Sequence, residues 1–246
     1  MNTNPEQEPL IDKKDYEYEN EQNLDSLINA QLRKGFIAKV YSILIVQILS
    51  TSIFVFFAYY STSFYKLLYE NIFFFLLSIT LLILCMVITL CYPEYLRKVP
   101  HNYIILAIFT LTESYFVASI TCEYTAKSVF IVLLLTLTSF VTLTIYAIYT
   151  KHDMTVFGGV LSCLLVLTIV GSFILIFVKI KIMQLIMDIF GVLLFMSYIV
   201  YDTQLIVRGD TKYQFSIDDY ILASLNLYLD IINLFIYLLS IFGDHK

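Results

Sequence analysis

Four acidic residues interrupt stretches that are otherwise apolar enough to sit in a bilayer: Glu113, Asp188, Asp202 and Asp230. An ionisable side chain at mid-span costs roughly 2.5 to 3.5 kcal/mol on the insertion scale, so such groups usually face a bundle interior and mark an ion or proton path. Asn226, Asp230, Asn233, Tyr237 and Ser240 recur at spacings of three and four residues, which puts them on one face of a helix. That polar stripe is expected to look inward. Asp188, Gly191, Phe195, Tyr198 and Asp202 share a face in the same way, with Gly191 small enough to let a neighbouring helix approach.

If Asp202 meets Asp230, two touching carboxylates cannot both be ionised cheaply, so they share one proton and titrate as a unit. The pair then works as a pH-sensitive latch. Protonated, it holds two helices together by a hydrogen bond; deprotonated, repulsion or capture of a cation by the two oxygens drives them apart. The alternative is that each acid only bonds to Asn or Tyr neighbours and serves packing.

The other charged candidates have plainer readings beside the functional one. Glu113 lines the same interior or pairs with Lys39, or else makes a structural hydrogen bond. Asp188 lies near the far membrane face, where solvation is expected. Lys39, at the start of the first apolar stretch, snorkels to the interface by default. His101, His152 and His245 have no metal-ligand spacing, and Cys85, Cys91, Cys122 and Cys163 show no CxxC pair, so no cofactor is expected and the thiols are taken as buried. No Gly-rich phosphate loop, catalytic Ser/His/Asp pattern or basic stripe is visible, and the formal charge is −5. Enzyme chemistry and nucleic-acid partners lose their usual starting points, and a catalytic use of two aspartates finds no second signature.

The elements that must position these acids follow from composition. The 246 residues are 59% hydrophobic and 14% charged, with mean hydropathy +0.81, which is membrane-protein composition. About 20 apolar residues cross a bilayer. Residues 40–65, 71–93, 128–150 and 154–178 carry no charge at all, and three more stretches are broken only by the acids above. The sequence therefore predicts an all-α integral membrane protein with seven spans, near 37–60, 71–92, 102–120, 128–149, 157–178, 184–207 and 219–242. Short connections make it one bundle, residues 33–246. Its partner is the lipid bilayer.

Residues 1–32 carry eight acids and no apolar core of a signal peptide, so they are read as a disordered tail, and the first span is expected to direct insertion. Seven Lys and Arg (Arg33, Lys34, Arg97, Lys98, Lys151, Arg208, Lys212) fall on the side of the N-terminus, and five (Lys66, Lys127, Lys179, Lys181, Lys246) on the other. This bias places the N-terminus in the cytosol. The four prolines lie outside the spans, so unkinked helices are expected; with no "NPxxY" ending and no lysine in the last span, a receptor is disfavoured. "SIDD" reads as a capping box from Ser216 to Asp219. In "TVFGG", Thr155 reads as a helix cap, and Gly158 and Gly159 as a close-packing surface.

Three stretches carry a family resemblance: "RKGFIAKVYSILIVQILST" (33–51), "CYPEYLRKVPHNYIILAIFTLTES" (91–114) and "YDTQLIVRGDTKYQFSIDDYILASLNLYLDIINLFIYLLSIFG" (201–243). Together they resemble the Bax inhibitor-1 family, and its lifeguard branch in particular. The resemblance implies a seven-helix bundle with the C-terminal helix at the centre and residence in endoplasmic reticulum, Golgi or other membranes, the plasma membrane included. It also implies a pH-sensitive calcium leak and suppression of cell death. The family's paired aspartates map onto Asp202 of "YDTQ" and Asp230 of "LYLDIINLF", and its "FTLTES" acid is Glu113. Ca²⁺ is then the transported ion, touching Asp202 and Asp230 in passing, and Asn226 and Asn233 line the interior. Some relatives tie the pair to an arginine inside the second span; here only Arg97 and Lys98 occur, beyond its end. A second class of function remains open: a non-conducting regulator acting through apoptosis-regulating membrane proteins.

Overall fold

The computed structural model describes residues 13–208 and 215–246. The helices are α1 (Lys13–Tyr60), α2 (Thr62–Tyr69), α3 (Ile72–Cys91), α4 (His101–Thr121), α5 (Ala126–Tyr149), α6 (Gly158–Val178), α7 (Lys181–Val207) and α8 (Tyr220–Phe242). All but the short α2 are long and apolar enough to cross a membrane. The protein is a seven-transmembrane-helix bundle.

α1 begins at Lys13, within the segment read as disordered, and runs unbroken into the first span. Between Lys13 and Lys34 there is neither Pro nor Gly, while Glu, Gln, Leu, Ala and Arg favour helix there. Polarity argued against a core, but a helix carried on a membrane span needs no core of its own. Glu6, Glu8 and Asp12 of the tail, and Lys212 of the charge bias, lie outside the described residues.

α8 occupies the centre, packed on α1, α4, α5 and α7. In its most apolar window 56% of the residues are buried, against 11% in α6 and 17% in α3. Those two helices stand outermost, α3 against α4 and α6 against α7. In lipid every backbone group must bond within its helix, and many hydroxyls join that ladder: Thr136 donates to Val132 O at 2.8 Å, Thr138 to Leu134 O at 2.7 Å and Thr168 to Leu164 O at 2.8 Å. Polar residues in the spans are thereby satisfied without leaving their own helix.

Glycines set the closest helix approaches. A Cβ on Gly191 of α7 would stand 2.7 Å from the Tyr237 ring of α8, and one on Gly158 would stand 2.5 Å from the Tyr201 hydroxyl. Gly159, expected to share that role, faces open space.

Three arginines fasten the connections at the end of the bundle where α1 enters. Arg33 donates to Phe215 O at 2.9 Å, Leu205 O at 2.6 Å and Arg208 O at 3.0 Å, drawing α1, α7 and the approach to α8 together. Arg97 meets Asp219 through two bonds, Nε to Oδ1 at 2.6 Å and Nη2 to Oδ2 at 3.1 Å. Asp219 also closes the capping box with Ser216. Arg208 donates to Thr150 O and stands 4.0 Å from Asp153. The cap of the turn before α6 is Asp153, not Thr155: the Thr155 amide and hydroxyl donate to Asp153 Oδ1 at 3.0 Å and 2.6 Å. Asp is the shorter reach to an N–H two residues on, and Thr155 becomes its donor.

Two predictions follow from this packing. Gly191→Leu drives a side chain into the Tyr237 ring and should destabilise by about 1–3 kcal/mol, seen as a lower melting temperature in detergent, whereas Gly159→Ala should leave it unchanged. The Thr155 bonds, with Arg208 behind them, hold the Asp153 carboxyl below the usual carboxylate range. The stability it contributes is present above its unfolded value and is lost only as pH falls through its folded value. Asp153→Asn should therefore lower the melting temperature by the same amount at every pH between about 5 and 8; a difference that changes across that window would contradict the assignment.

Candidate functional site

Asp202 and Asp230 come together between α7 and α8, their carboxyl groups within hydrogen-bonding range. They are 4% and 6% exposed. Counted from the helix ends, the two stand at different depths: Asp202 is about 8 Å before Val207, and Asp230 about 15 Å beyond Tyr220. The register explains how they meet. From the Gly191–Tyr237 contact to the aspartate pair, α7 advances eleven residues and α8 only seven, about 16 Å against 10 Å. An inclination of the axes and the reach of the side chains make up the difference.

A carboxylate only accepts hydrogen bonds, so a bond between two carboxyl groups requires a proton on one of them. Asp230 Oδ2 is buried and receives no hydrogen bond from a donor among the described residues. The ion pairs among those residues are Arg97–Asp219 and Arg208–Asp153, so neither aspartate of the pair is neutralised by a cation there. Tyr198 lies near both carboxyls, and Tyr201 near Asp202. Arg97, beyond the end of the second span, is bound to Asp219.

The polar stripe of α8 faces α7 rather than the bundle interior. Asn226, Asn233, Tyr237 and Ser240 are half-buried, and Tyr237 stacks on Phe195 with centroids 5.8 Å apart. Asn233 bonds back to Leu229 O of its own helix at 2.8 Å. Asp188, expected to be solvated, is buried and accepts from Ser240 at 2.7 Å. It pins the far end of the α7–α8 seam as the aspartate pair pins the near end.

Glu113 is 6% exposed on α4, near Tyr228 of α8. It does not pair with Lys39, whose ammonium lies over the Tyr220 ring, 5.2 Å from its centroid, at the entrance end of the bundle. Glu113 belongs instead to a second polar centre on the opposite side of α8. There Thr51 bonds to Tyr228 at 2.7 Å and to Ser114 at 3.1 Å, and Gln47 donates to Thr110 at 3.2 Å. Gln47, Thr51, Ser114 and Tyr228 were missed in the sequence; Gln47 and Thr51 stand four apart on one helical face, which was the available signal.

Among the described residues no three His, Cys, Asp or Glu side chains gather as a metal cage. Two carboxylates supply few of the six to eight oxygens that Ca²⁺ takes, so the pair suits a passing cation better than a resident one.

Comparison with known proteins agrees with this architecture. Residues 33–246 match the family model described as "Inhibitor of apoptosis-promoting Bax1". The chain is 31% identical to protein lifeguard 3 of Homo sapiens over 220 residues, 88% of this chain and 70% of that protein. It is 32% identical over 218 residues to the Golgi anti-apoptotic protein of Vaccinia virus (strain Lister), covering 87% of this chain and 86% of the relative. To protein LIFEGUARD 4 of Arabidopsis thaliana it is 34% identical over 232 residues, 88% of this chain and 87% of the relative. The match takes in every span together with Asp202 and Asp230, and the chain belongs to the Bax inhibitor-1 family.

Proposed function

We propose that this protein is a pH-sensitive calcium leak that restrains cell death, gated by the carboxyl pair Asp202–Asp230. The observation that carries the reading is the pair itself: two buried carboxyls in contact, without a neutralising cation among the described residues, on the seam between the central helix and α7. With a proton between them they fasten α8 to α7. When it leaves, two adjacent charges in a medium of low dielectric repel strongly, and separation of the seam, or entry of a divalent cation between them, relieves the repulsion. Restraint of cell death is supported by family membership and by a relative whose name is Golgi anti-apoptotic protein.

The same relative favours a Golgi membrane, with the endoplasmic reticulum next and the plasma membrane a further location. The charge bias and the arginine-fastened connections favour a cytosolic N-terminus. A second reading has its own support, since the relatives' names speak of apoptosis and not of conduction: a non-conducting regulator acting through membrane protein partners. In that reading the pair serves folding or switching alone.

The two readings separate in liposomes holding only this protein. Calcium efflux should rise with pH between about 5 and 8, and Asp202→Asn and Asp230→Asn should each flatten that dependence, because an amide keeps the hydrogen bond and never ionises. Efflux no greater than from empty liposomes at any pH would remove the leak and leave the partner-binding regulator.

A further inference from the structure

The central helix is not fully enclosed by protein. α1 and α5 flank α8 without packing on one another, and between them lies a cavity of about 70 Å³. Its floor is Val117 of α4 with Ile231, Ile232 and Phe235 of α8, each at most 5% exposed. Its rim, with Ile48 and Val55 on α1 and Leu133 and Leu137 on α5, is half-buried. Next in sequence to the lining residues Ser52 and Val129 stand Ile53 and Phe130, 53% and 60% exposed, so the cleft lies beside the lipid-facing surface.

We propose that this cleft is a binding site for a short segment of one acyl chain of a membrane lipid, which enters sideways between α1 and α5 and lies against α8. Three observations select that occupant. The cleft lies beside the bilayer-facing belt, so hydrocarbon tails are what it meets. Its walls are apolar apart from three hydroxyls, of which two are already bonded, Thr136 to Val132 O at 2.8 Å and Thr51 to Gln47 O at 3.0 Å and Tyr228 at 2.7 Å, while the third, Ser52, stands half-buried at the rim. A water needs two to four partners, and Ser52 offers one. Left empty, the lining would forfeit dispersion contacts on one side, which a flexible methylene chain restores. The seated chain touches Ile231, the neighbour of Asp230, and so links bilayer composition to the helix that carries the carboxyl pair. The proposal does not depend on calcium passage.

The chain contains no tryptophan, so a single introduced Trp reports its own surroundings. Phe235→Trp, on the cleft floor, is compared in phosphatidylcholine bilayers with and without bromine at mid-chain. Val141→Trp on the lipid-facing side of α5 and Phe109→Trp in the closed core, 53% and 2% exposed, mark the two limits. An acyl chain in the cleft predicts that Phe235→Trp loses more than half of the emission that Val141→Trp loses, although its native residue is buried. Ile232→Trp reads the same floor should Phe235→Trp fail to fold. Emission from the floor as indifferent to bromine as that of Phe109→Trp would show the cleft sealed, by side chains or by a second copy of the chain, and would overturn the proposal.

Discussion

Two carboxyl groups in contact inside a membrane protein are a constraint before they are a function. Transfer of one carboxylate into the interior is costly, and transfer of two to the same place is far worse unless a proton or a cation is shared between them. The bundle is arranged so that this requirement falls on the seam between α7 and α8. Gly191 admits Tyr237, Phe195 stacks on it, and Ser240 satisfies Asp188 at the other end. Each of these contacts presses the two helices together, and the aspartate pair is the one point at which closeness depends on protonation.

The rest of the molecule gives that seam a fixed partner. α8 is held on its opposite side by the hydroxyl and amide network of Gln47, Thr51, Ser114 and Tyr228, and at its start by Arg97 on Asp219 and Arg33 on Phe215 O. The bonds among Gln47, Thr51, Ser114 and Tyr228 are buried and do not exchange with water, so they hold α8 to α1 and, through Thr51, to α4.

Composition and the spacing of charges made the seven spans and their one-bundle arrangement legible, because the length of an apolar run answers directly to bilayer thickness. The one-face recurrence of Asp188, Gly191 and Asp202 likewise pointed to a helix contact. Other features depend on three-dimensional packing that periodicity does not encode. The α8 stripe looked like an interior lining, yet its Tyr237 and Ser240 meet Gly191 and Asp188 of α7, a pairing that the spacing within one helix does not specify. Asp188 sits near a helix end, where solvation is the ordinary expectation, and is buried only because Ser240 stands opposite. The Arg97–Asp219 bond joins residues 122 apart in sequence, and nothing local announces it. Thr155 and Asp153 both have capping side chains, and only the turn geometry decides between them.

The claim on which everything else rests is that Asp202 and Asp230 hold a proton between them while the seam is closed. Infrared difference spectroscopy of the protein in lipid reads this directly, through the carbonyl stretch of a protonated carboxyl group. The account predicts such a band in the native protein, shifted by Asp202→Asn and by Asp230→Asn, absent from the double variant, and bleached as the medium is made alkaline. A native spectrum in the carboxyl region identical to that of the double variant at every pH would mean that both aspartates are ionised side by side, and the shared-proton account would fail.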